Sequence, residues 1–62
     1  MNIDTKKIRE QLFLTQAEFA KLIGLSEVAV SKWERGINKP TLKHLKVIVE
    51  IARDNGIYIE GV

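Results

Sequence analysis

The side chains with the clearest chemistry lie between residues 32 and 46, where the cations greatly outnumber the acids. The cations are Lys32, Arg35, Lys39, Lys43 and Lys46, and the one acid is Glu34. Lysine and arginine donate charge-assisted hydrogen bonds, which suits them to contact phosphate. The net charge of +2 does not by itself indicate nucleic acid, whereas this local concentration is typical of a phosphate-binding surface. An ordinary solvated surface remains the alternative at this point.

A second group of side chains falls on one face of a predicted helix, at about 100° per residue. Val30 and Trp33 define its inward direction. The residues that point nearly opposite are Val28, Ser31, Lys32 and Arg35, and Glu27 projects from the first turn. This face is polar and basic with one small apolar residue, so it is either solvated or contacts a ligand.

The pattern of residues 16–35 predicts two short helices joined by a tight turn. Apolar residues recur at helical spacing on both sides of Gly24: Phe19, Ala20 and Ile23 precede it, and Val30 and Trp33 follow it. Glycine reaches positive φ without steric cost, which suits Gly24 to the point where the chain reverses. This is the layout of a helix-turn-helix.

Both helices of this motif begin with capping signals. Thr15, with Glu18 three residues later, predicts a capping box, and Ser26 is a favourable N-cap for the second helix. Leu14 and Leu25 precede the two caps, where a hydrophobic staple is expected. Two independent start signals at the right spacing strengthen the prediction of a helix-turn-helix.

The chain resembles the helix-turn-helix family of phage repressors and Cro proteins. The shared pattern covers about Ile8 to Ala52 and comprises Gln16–Ala17–Glu18, Ala20, Gly24, Val30, Trp33–Glu34–Arg35–Gly36, Pro40–Thr41, Leu45 and Ile48. This combination is highly specific, whereas Ala-x-x-x-Gly alone would be weak. The resemblance implies an all-α fold and a domain that binds double-stranded DNA.

The resemblance and the side-chain chemistry together predict how the polar residues divide between bases and phosphates. The candidates for base contacts are Glu27, Val28, Ser31 and Lys32, and those for phosphate contacts are Gln16, Arg35, Lys39 and Lys43. Lysine can donate to guanine, glutamate can accept from cytosine, and valine can pack on a thymine methyl group. The family varies the identity of these side chains, so its target sequences do not transfer.

Glu34 lies on the inward half of its helix, an unusual place for a carboxylate without a partner. From periodicity alone, Arg9 would be an ordinary surface residue. In the family, side chains at these two positions commonly form an ion pair between the first and third helices. The resemblance therefore implies a structural Arg9–Glu34 pair.

Two further helices are expected to flank the motif. Asp4 or Asn2 can cap a first helix running to about Phe13, and Thr41 can cap a last helix ending near Asn55–Gly56. The predicted apolar face of the last helix, which would close the core, comprises Leu42, Leu45, Ile48, Val49 and Ala52.

The C-terminal third carries two features that favour self-association. Val47 and Ile51 form a second apolar stripe on the last helix, and the tail Ile57–Tyr58–Ile59–Glu60 alternates like a short strand. The family's commonest pattern has a fifth helix there instead. The candidates for a homodimer interface are Val47, Ile51, Ile57, Tyr58 and Ile59. A tail folded onto its own domain is the alternative.

Length and composition narrow the classes of function. Sixty-two residues predict one domain, residues 1–62, with a small core that self-association would help to stabilise. There are no cysteines and a single histidine, His44, which we place at the surface, so neither a metal site nor a cofactor is expected. No catalytic constellation indicates an enzyme. No signal peptide or membrane span is recognisable, and a cytoplasmic location is expected.

The sequence thus predicts a compact all-α domain of four to five helices, with a short C-terminal β-strand as a variant. The predicted function is a sequence-specific transcriptional regulator, foremost a repressor, of bacterial or phage type. It would bind a palindromic operator as a homodimer, without a membrane or a small-molecule substrate. The alternative is a protein-interaction module with the same fold, such as an antitoxin or antirepressor that binds a protein partner.

Overall fold

The computed structural model of the chain describes residues 3–59, which form four α-helices. They are α1 (Thr5–Gln11), α2 (Gln16–Ile23), α3 (Glu27–Glu34) and α4 (Leu42–Asp54). The predicted all-α class is confirmed, and none of these helices is long and apolar enough to cross a membrane. The alternative cap Asn2 and the tail from Glu60 onward lie outside the described residues.

Each helix begins at a side-chain cap that accepts a hydrogen bond from a backbone N–H three residues later. The caps are Asp4, Thr15, Ser26 and Thr41. The capping box of α2 is complete, because Glu18 Oε1 also accepts from the Thr15 N–H at 2.9 Å. Hydrogen bonds from the Thr15 backbone and hydroxyl hold the pKa of the Glu18 carboxyl below its ordinary value. The predicted helix starts are therefore confirmed, and they depend on local contacts.

The turn between α2 and α3 forms at Gly24, as predicted. Gly24 has φ of 77°, and the N–H of Leu25 donates to the carbonyl of Ala20 at 2.8 Å. This backward bond closes the last turn of α2 and redirects the chain. Ala20 is buried where the two helices pack closely. Residues 16–35 therefore form the predicted helix-turn-helix.

The core lies between the helix-turn-helix and the two flanking helices. Its buried side chains are Ile8, Phe19, Ala20, Ile23, Val30, Ile48 and Ala52. Leu12 and Trp33 are half-buried and pack against it. Full burial of a side chain such as Phe19 contributes roughly 1.5–3 kcal/mol. Val30 brings α3 into this core, and its burial sets the rotation of that helix.

The buried side of α4 is rotated from the predicted one. Ile48 and Ala52 are fully buried, but Leu42 is 64% exposed. Val47 and Ile51, which were expected to point away from the core, pack against it. The sequence of α4 is apolar around more than half of its circumference, so several inward directions satisfy it. Packing against α2 and the rest of the core selects the direction centred near Ile48.

The first helix is shorter than predicted, since it ends at Gln11 and does not reach Phe13. Phe13 has φ of 58° and an almost fully exposed side chain. The N–H of Leu14 donates back to the carbonyl of Arg9 at 3.2 Å. This is the helix-ending bond seen at Gly24, here with phenylalanine in the left-handed position.

The tail after α4 folds onto its own domain, and the predicted strand is absent from residues 57–59. The N–H of Ile57 donates to the carbonyl of Ala52 at 2.8 Å. Ile57 and Ile59 pack partly against the core, whereas Tyr58 is 85% exposed. Within residues 57–59, the alternating pattern therefore reflects side chains that face the core, Ile57 and Ile59, and one that faces solvent, Tyr58.

His44 differs from the predicted surface position, because it is half-buried beside Trp33. The two ring centroids are 5.7 Å apart with the planes tilted by 44°. The hydroxyl of Thr41 lies 3.0 Å from His44 Nδ1. These contacts hold the end of α3 against the start of α4.

Candidate nucleic-acid interface

The outward face of α3 carries the four predicted base-contacting residues. Glu27, Val28, Ser31 and Lys32 follow the spacing i, i+1, i+4 and i+5, which places them on one side of a helix. Glu27 is exposed, Val28 is 60% exposed, and the other two are half-buried. Because Val30 is fully buried on the opposite side, this face cannot rotate away from solvent without disrupting the core.

Three of the four predicted phosphate-contacting residues are exposed cations near the end of α3. Arg35 is the C-cap of α3, Lys39 lies in the following loop, and Lys43 is in the first turn of α4. The guanidinium of Arg35 makes one long hydrogen bond, 3.4 Å from Nε to the Ser31 carbonyl. Among residues 3–59 none of the three forms an ion pair with a carboxylate. Their charges are therefore available to an external anion.

The remaining pair, Arg9 and Glu34, joins α1 to the end of α3 through two parallel hydrogen bonds. Arg9 Nε lies 2.7 Å from Glu34 Oε2, and Arg9 Nη2 lies 3.0 Å from Oε1. Arg9 Nη1 also donates to the carbonyl of Leu14 at 2.8 Å. The side chains are only 14% and 6% exposed, respectively. The pair therefore ties three segments together around α3.

This environment keeps both groups charged. Burial alone would raise the pKa of Glu34, but hydrogen bonds from Arg9 and Gln16, with the positive charges of Arg9 and Lys6, hold it below its ordinary value. The hydrogen bond to Glu34 in turn raises the pKa of the Arg9 guanidinium. At neutral pH the pair is ionic, and its two charges cancel locally.

Gln16, the fourth predicted phosphate-contacting residue, also contacts Glu34. Its Nε2 donates to Glu34 Oε1 at 3.1 Å, and the side chain is half-buried. Sequence reasoning did not predict this contact. A bidentate arginine leaves lone pairs free on a carboxylate, and Gln16 supplies a donor for one of them. The first residue of α2 is thus bound to the last residue of α3.

The predicted dimer-interface residues do not form one exposed surface. Val47, Ile51, Ile57 and Ile59 are half-buried and pack against the core of their own chain. Tyr58 differs, with a side chain that is largely exposed. Their assignment to a homodimer interface stays a prediction, and among them Tyr58 is the side chain most accessible to a partner.

Two open grooves lie beside α1, and neither gathers groups for metal binding. One, of about 430 Å³, is lined by apolar residues such as Ile8 and Ile59 together with Tyr58. The other, of about 570 Å³, lies between the start of α1 and the loop that carries Lys39. No group of three or more potential metal ligands occurs within residues 3–59.

Comparison with known proteins gives one family and two relatives. The sequence profile described as helix-turn-helix matches residues 6–52. Over 48 residues the chain is 44% identical to the type II methyltransferase M.SsoII of Shigella sonnei, covering 73% of this chain and 13% of that protein. Over 51 residues it is 37% identical to the HTH-type transcriptional regulator DicA of Escherichia coli, covering 82% of this chain and 38% of the regulator.

These matches concern a domain and not a whole protein. The chain spans well under half the length of either relative. No solved structure matches the chain at a significant level. The profile extends from α1 into α4, which is the region that holds the outward face of α3 and the Arg9–Glu34 pair.

Proposed function

The chain belongs to the repressor- and Cro-type helix-turn-helix family, and from this premise we propose that it is a sequence-specific DNA-binding transcriptional regulator. The observation that carries the proposal is the outward face of α3. On this face Glu27 and Val28 are exposed and Ser31 and Lys32 are half-buried, while the fully buried Val30 holds the helix in place. A rigid helix with donors, an acceptor and an apolar group on one side is suited to the major groove.

The proposed roles follow from the chemistry of each side chain. Lys32 donates to guanine O6 and N7, and Glu27 accepts from cytosine N4. Val28 packs on a thymine methyl group, and Ser31 pairs with either a donor or an acceptor. Arg35, Lys39 and Lys43 contact phosphates on the flanking backbone, which fixes the register of α3 in the groove.

We further propose that the regulator is a repressor that binds a palindromic operator as a homodimer. Two recognition helices related by a two-fold axis would enter the major groove about 34–36 Å apart, one helical turn of DNA. The resemblance to repressors and Cro proteins and the similarity to the regulator DicA support this reading. The exposed Tyr58 offers one point of contact between two copies.

We propose that the domain contributes DNA recognition and no catalysis. The similarity to the methyltransferase supports this division, because the aligned residues are only 13% of that enzyme. Since the alignment covers 73% of this chain and the helix-turn-helix profile matches residues 6–52, the two regions overlap.

The first test is an NMR titration of the isotope-labelled protein with a duplex of generic sequence. We expect backbone amide shifts at residue 16, residues 26–35 and Lys39, and we expect them to weaken as salt increases, because phosphate binding releases counterions. Amides on the exposed side of α4, such as that of Glu50, serve as the internal control and should not move.

A silent α3 would contradict the proposal. Shifts confined to residues 47–59 would favour a protein-interaction module, and the next experiment would then be a search for a partner chain. A palindromic operator found by selection from random duplexes should bind two copies of the protein, and a complex with one copy would contradict the homodimer.

A further inference from the structure

The contact between Gln16 and Glu34 has a consequence for DNA binding that neither residue suggests alone. Glu34 Oε2 accepts from Arg9 Nε, and Oε1 accepts from both Arg9 Nη2 and Gln16 Nε2. The carboxylate is 6% exposed. It therefore lies beneath the first turn of α2 and is shielded from solvent by the residues it binds.

The negative charge of Glu34 determines which way the Gln16 amide faces. A carboxylate only accepts hydrogen bonds, so the NH₂ group of the amide must face it and the amide oxygen must face away. Reversing the amide would set its carbonyl oxygen against the carboxylate. The second N–H of Gln16 Nε2 is not used by Glu34, and it is left in a fixed orientation at the start of α2.

Arg9 removes the electrostatic penalty of this arrangement. A buried anion close to Gln16 would repel a phosphate that approached the start of α2. The two hydrogen bonds from Arg9 neutralise the anion. Lys6 adds positive charge nearby and contributes to the lowered pKa of Glu34. The cluster thus offers a donor to phosphate without exposing a negative charge.

We propose that Glu34 is a positioning residue for DNA binding, because it orients the Gln16 side-chain amide so that the second N–H donates to a backbone phosphate. Glu34 touches no DNA in this arrangement and acts only through Gln16. The proposal rests on the proposed function above, since it assigns one phosphate contact of that interface. It adds to the stabilising role of the Arg9–Glu34 pair a second role, the orientation of a ligand-binding group.

The test is a double-mutant cycle with Gln16→Ala and Glu34→Gln, in which affinity for a generic duplex is measured at fixed salt. Circular dichroism first establishes a temperature at which all four proteins are folded. A hydrogen bond to a charged group is worth enough to change affinity about tenfold. We expect each single variant to weaken binding by about that factor, and the double variant to bind no more weakly than Gln16→Ala.

If Glu34 serves only to stabilise the fold, the double-mutant cycle should give a different result. In that case Glu34→Gln weakens binding by the same factor whether or not Gln16 is present, and this additive result would overturn the proposal. Lys7→Ala is the matched control for general loss of affinity, because Lys7 is an exposed residue of α1.

A measurement on the unchanged protein covers the case in which Glu34→Gln fails to fold. The side-chain NH₂ group of Gln16 gives two resolved proton signals in an ¹H–¹⁵N spectrum. We expect the addition of duplex to shift the signal of the proton that does not face Glu34. If the α3 backbone amides shift while both Gln16 side-chain signals stay fixed, this inference fails and the proposed function stands. If the α3 amides do not shift, the proposed function itself fails.

Discussion

At the scale of single residues, Lys32 and Lys39 carry the same charge in different settings. Lys32 is half-buried on the outward face of α3, and long basic side chains in such settings commonly bury the stem and leave the charged end in solvent. Lys39 is exposed in the loop after α3. A side chain held on the recognition face can discriminate between base edges, whereas a flexible loop lysine contacts the uniform backbone.

Substituting either lysine by alanine removes one positive charge, but the two variants should change DNA binding in different ways. Lys32→Ala should reduce discrimination between duplexes, by about 1–3 kcal/mol at the position that it contacts. Lys39→Ala should weaken all duplexes alike and lower the salt slope of binding by about one. Affinities for a panel of single-base variants of a selected site, at several salt concentrations, provide the measurement. Identical behaviour of the two variants would refute the assigned roles.

Phe13 has a left-handed backbone conformation that is unfavourable for its residue type. It adopts φ of 58°, whereas the left-handed residues after the other three helices are Gly24, Gly36 and Gly56. The left-handed conformation costs a residue with a Cβ atom roughly 1–2 kcal/mol. Since the side chain is almost fully exposed, little packing offsets this cost within the chain.

We therefore expect Phe13→Gly to stabilise the fold. The relief of strain exceeds the entropy that glycine adds to the unfolded chain, with a net gain of about 0.5–1 kcal/mol. Urea unfolding gives the measurement. Phe13→Ala is the control, because it removes the ring but keeps the Cβ atom, and it should give no comparable gain. A destabilised Phe13→Gly would mean that the ring makes a contact that offsets the strain.

At the scale of elements, the Arg9–Glu34 pair joins helices that share few other contacts. We expect Glu34→Ala to destabilise the fold by about 3 kcal/mol, because Arg9 would keep a charge in a largely buried site. For a chain with stability of roughly 0.05–0.15 kcal/mol per residue, this loss is large. A loss of unfolding free energy below about 1 kcal/mol would mean that the pair contributes no more than an exposed salt bridge does.

The same pair predicts a pH dependence of stability. The pKa of Glu34 in the folded state is held below its ordinary value of 4.5, so folding favours the ionised form. Its contribution is complete above that ordinary pKa and is lost as the pH falls through the lower folded-state pKa. In urea unfolding, the difference between wild type and Glu34→Gln should shrink as the pH falls below about 4.5. A difference for Glu34→Gln that stays constant across this pH range would contradict the prediction.

How much of each element the sequence predicts depends on how local its determinants are. The starts of all four helices were predictable because Asp4, Thr15, Ser26 and Thr41 act on backbone within three residues. The rotation of α4 was not, because its sequence satisfies several inward directions and only the packed neighbours select one.

In the candidate site, too, the features with local determinants were predictable and those that depend on packing between helices were not. The outward face of α3 follows from helical spacing and the buried Val30. The contact of Gln16 with Glu34 joins residues 18 positions apart and depends on how α2 crosses α3, which spacing does not specify. The end of α1 was not predicted, because the usual sequence signal for a left-handed residue that ends a helix is glycine. At the end of α1 this position is occupied by phenylalanine.

At the scale of the whole molecule, the small size of the domain bears on the proposed homodimer. A domain of about 60 residues buries only about 60% of its unfolded surface, so a second copy would add stability as well as a second recognition helix. If the proposed homodimer forms from the folded chain alone, the measured stability should rise with protein concentration. Within residues 57–59, Ile57 and Ile59 already pack against the core of their own chain, and Tyr58 is left for that contact.

Tyr58 and Ile57 provide a matched pair of variants for testing this route to a dimer. Tyr58 is 85% exposed while Ile57 packs against the core. We expect Tyr58→Ser to weaken self-association in sedimentation equilibrium and to leave the unfolding free energy of the dilute monomer within about 0.5 kcal/mol of wild type. Ile57→Ala should instead destabilise the monomer by about 1–2 kcal/mol, less than full burial would give. If Tyr58→Ser leaves self-association unchanged, Tyr58 lies outside the interface of the proposed homodimer.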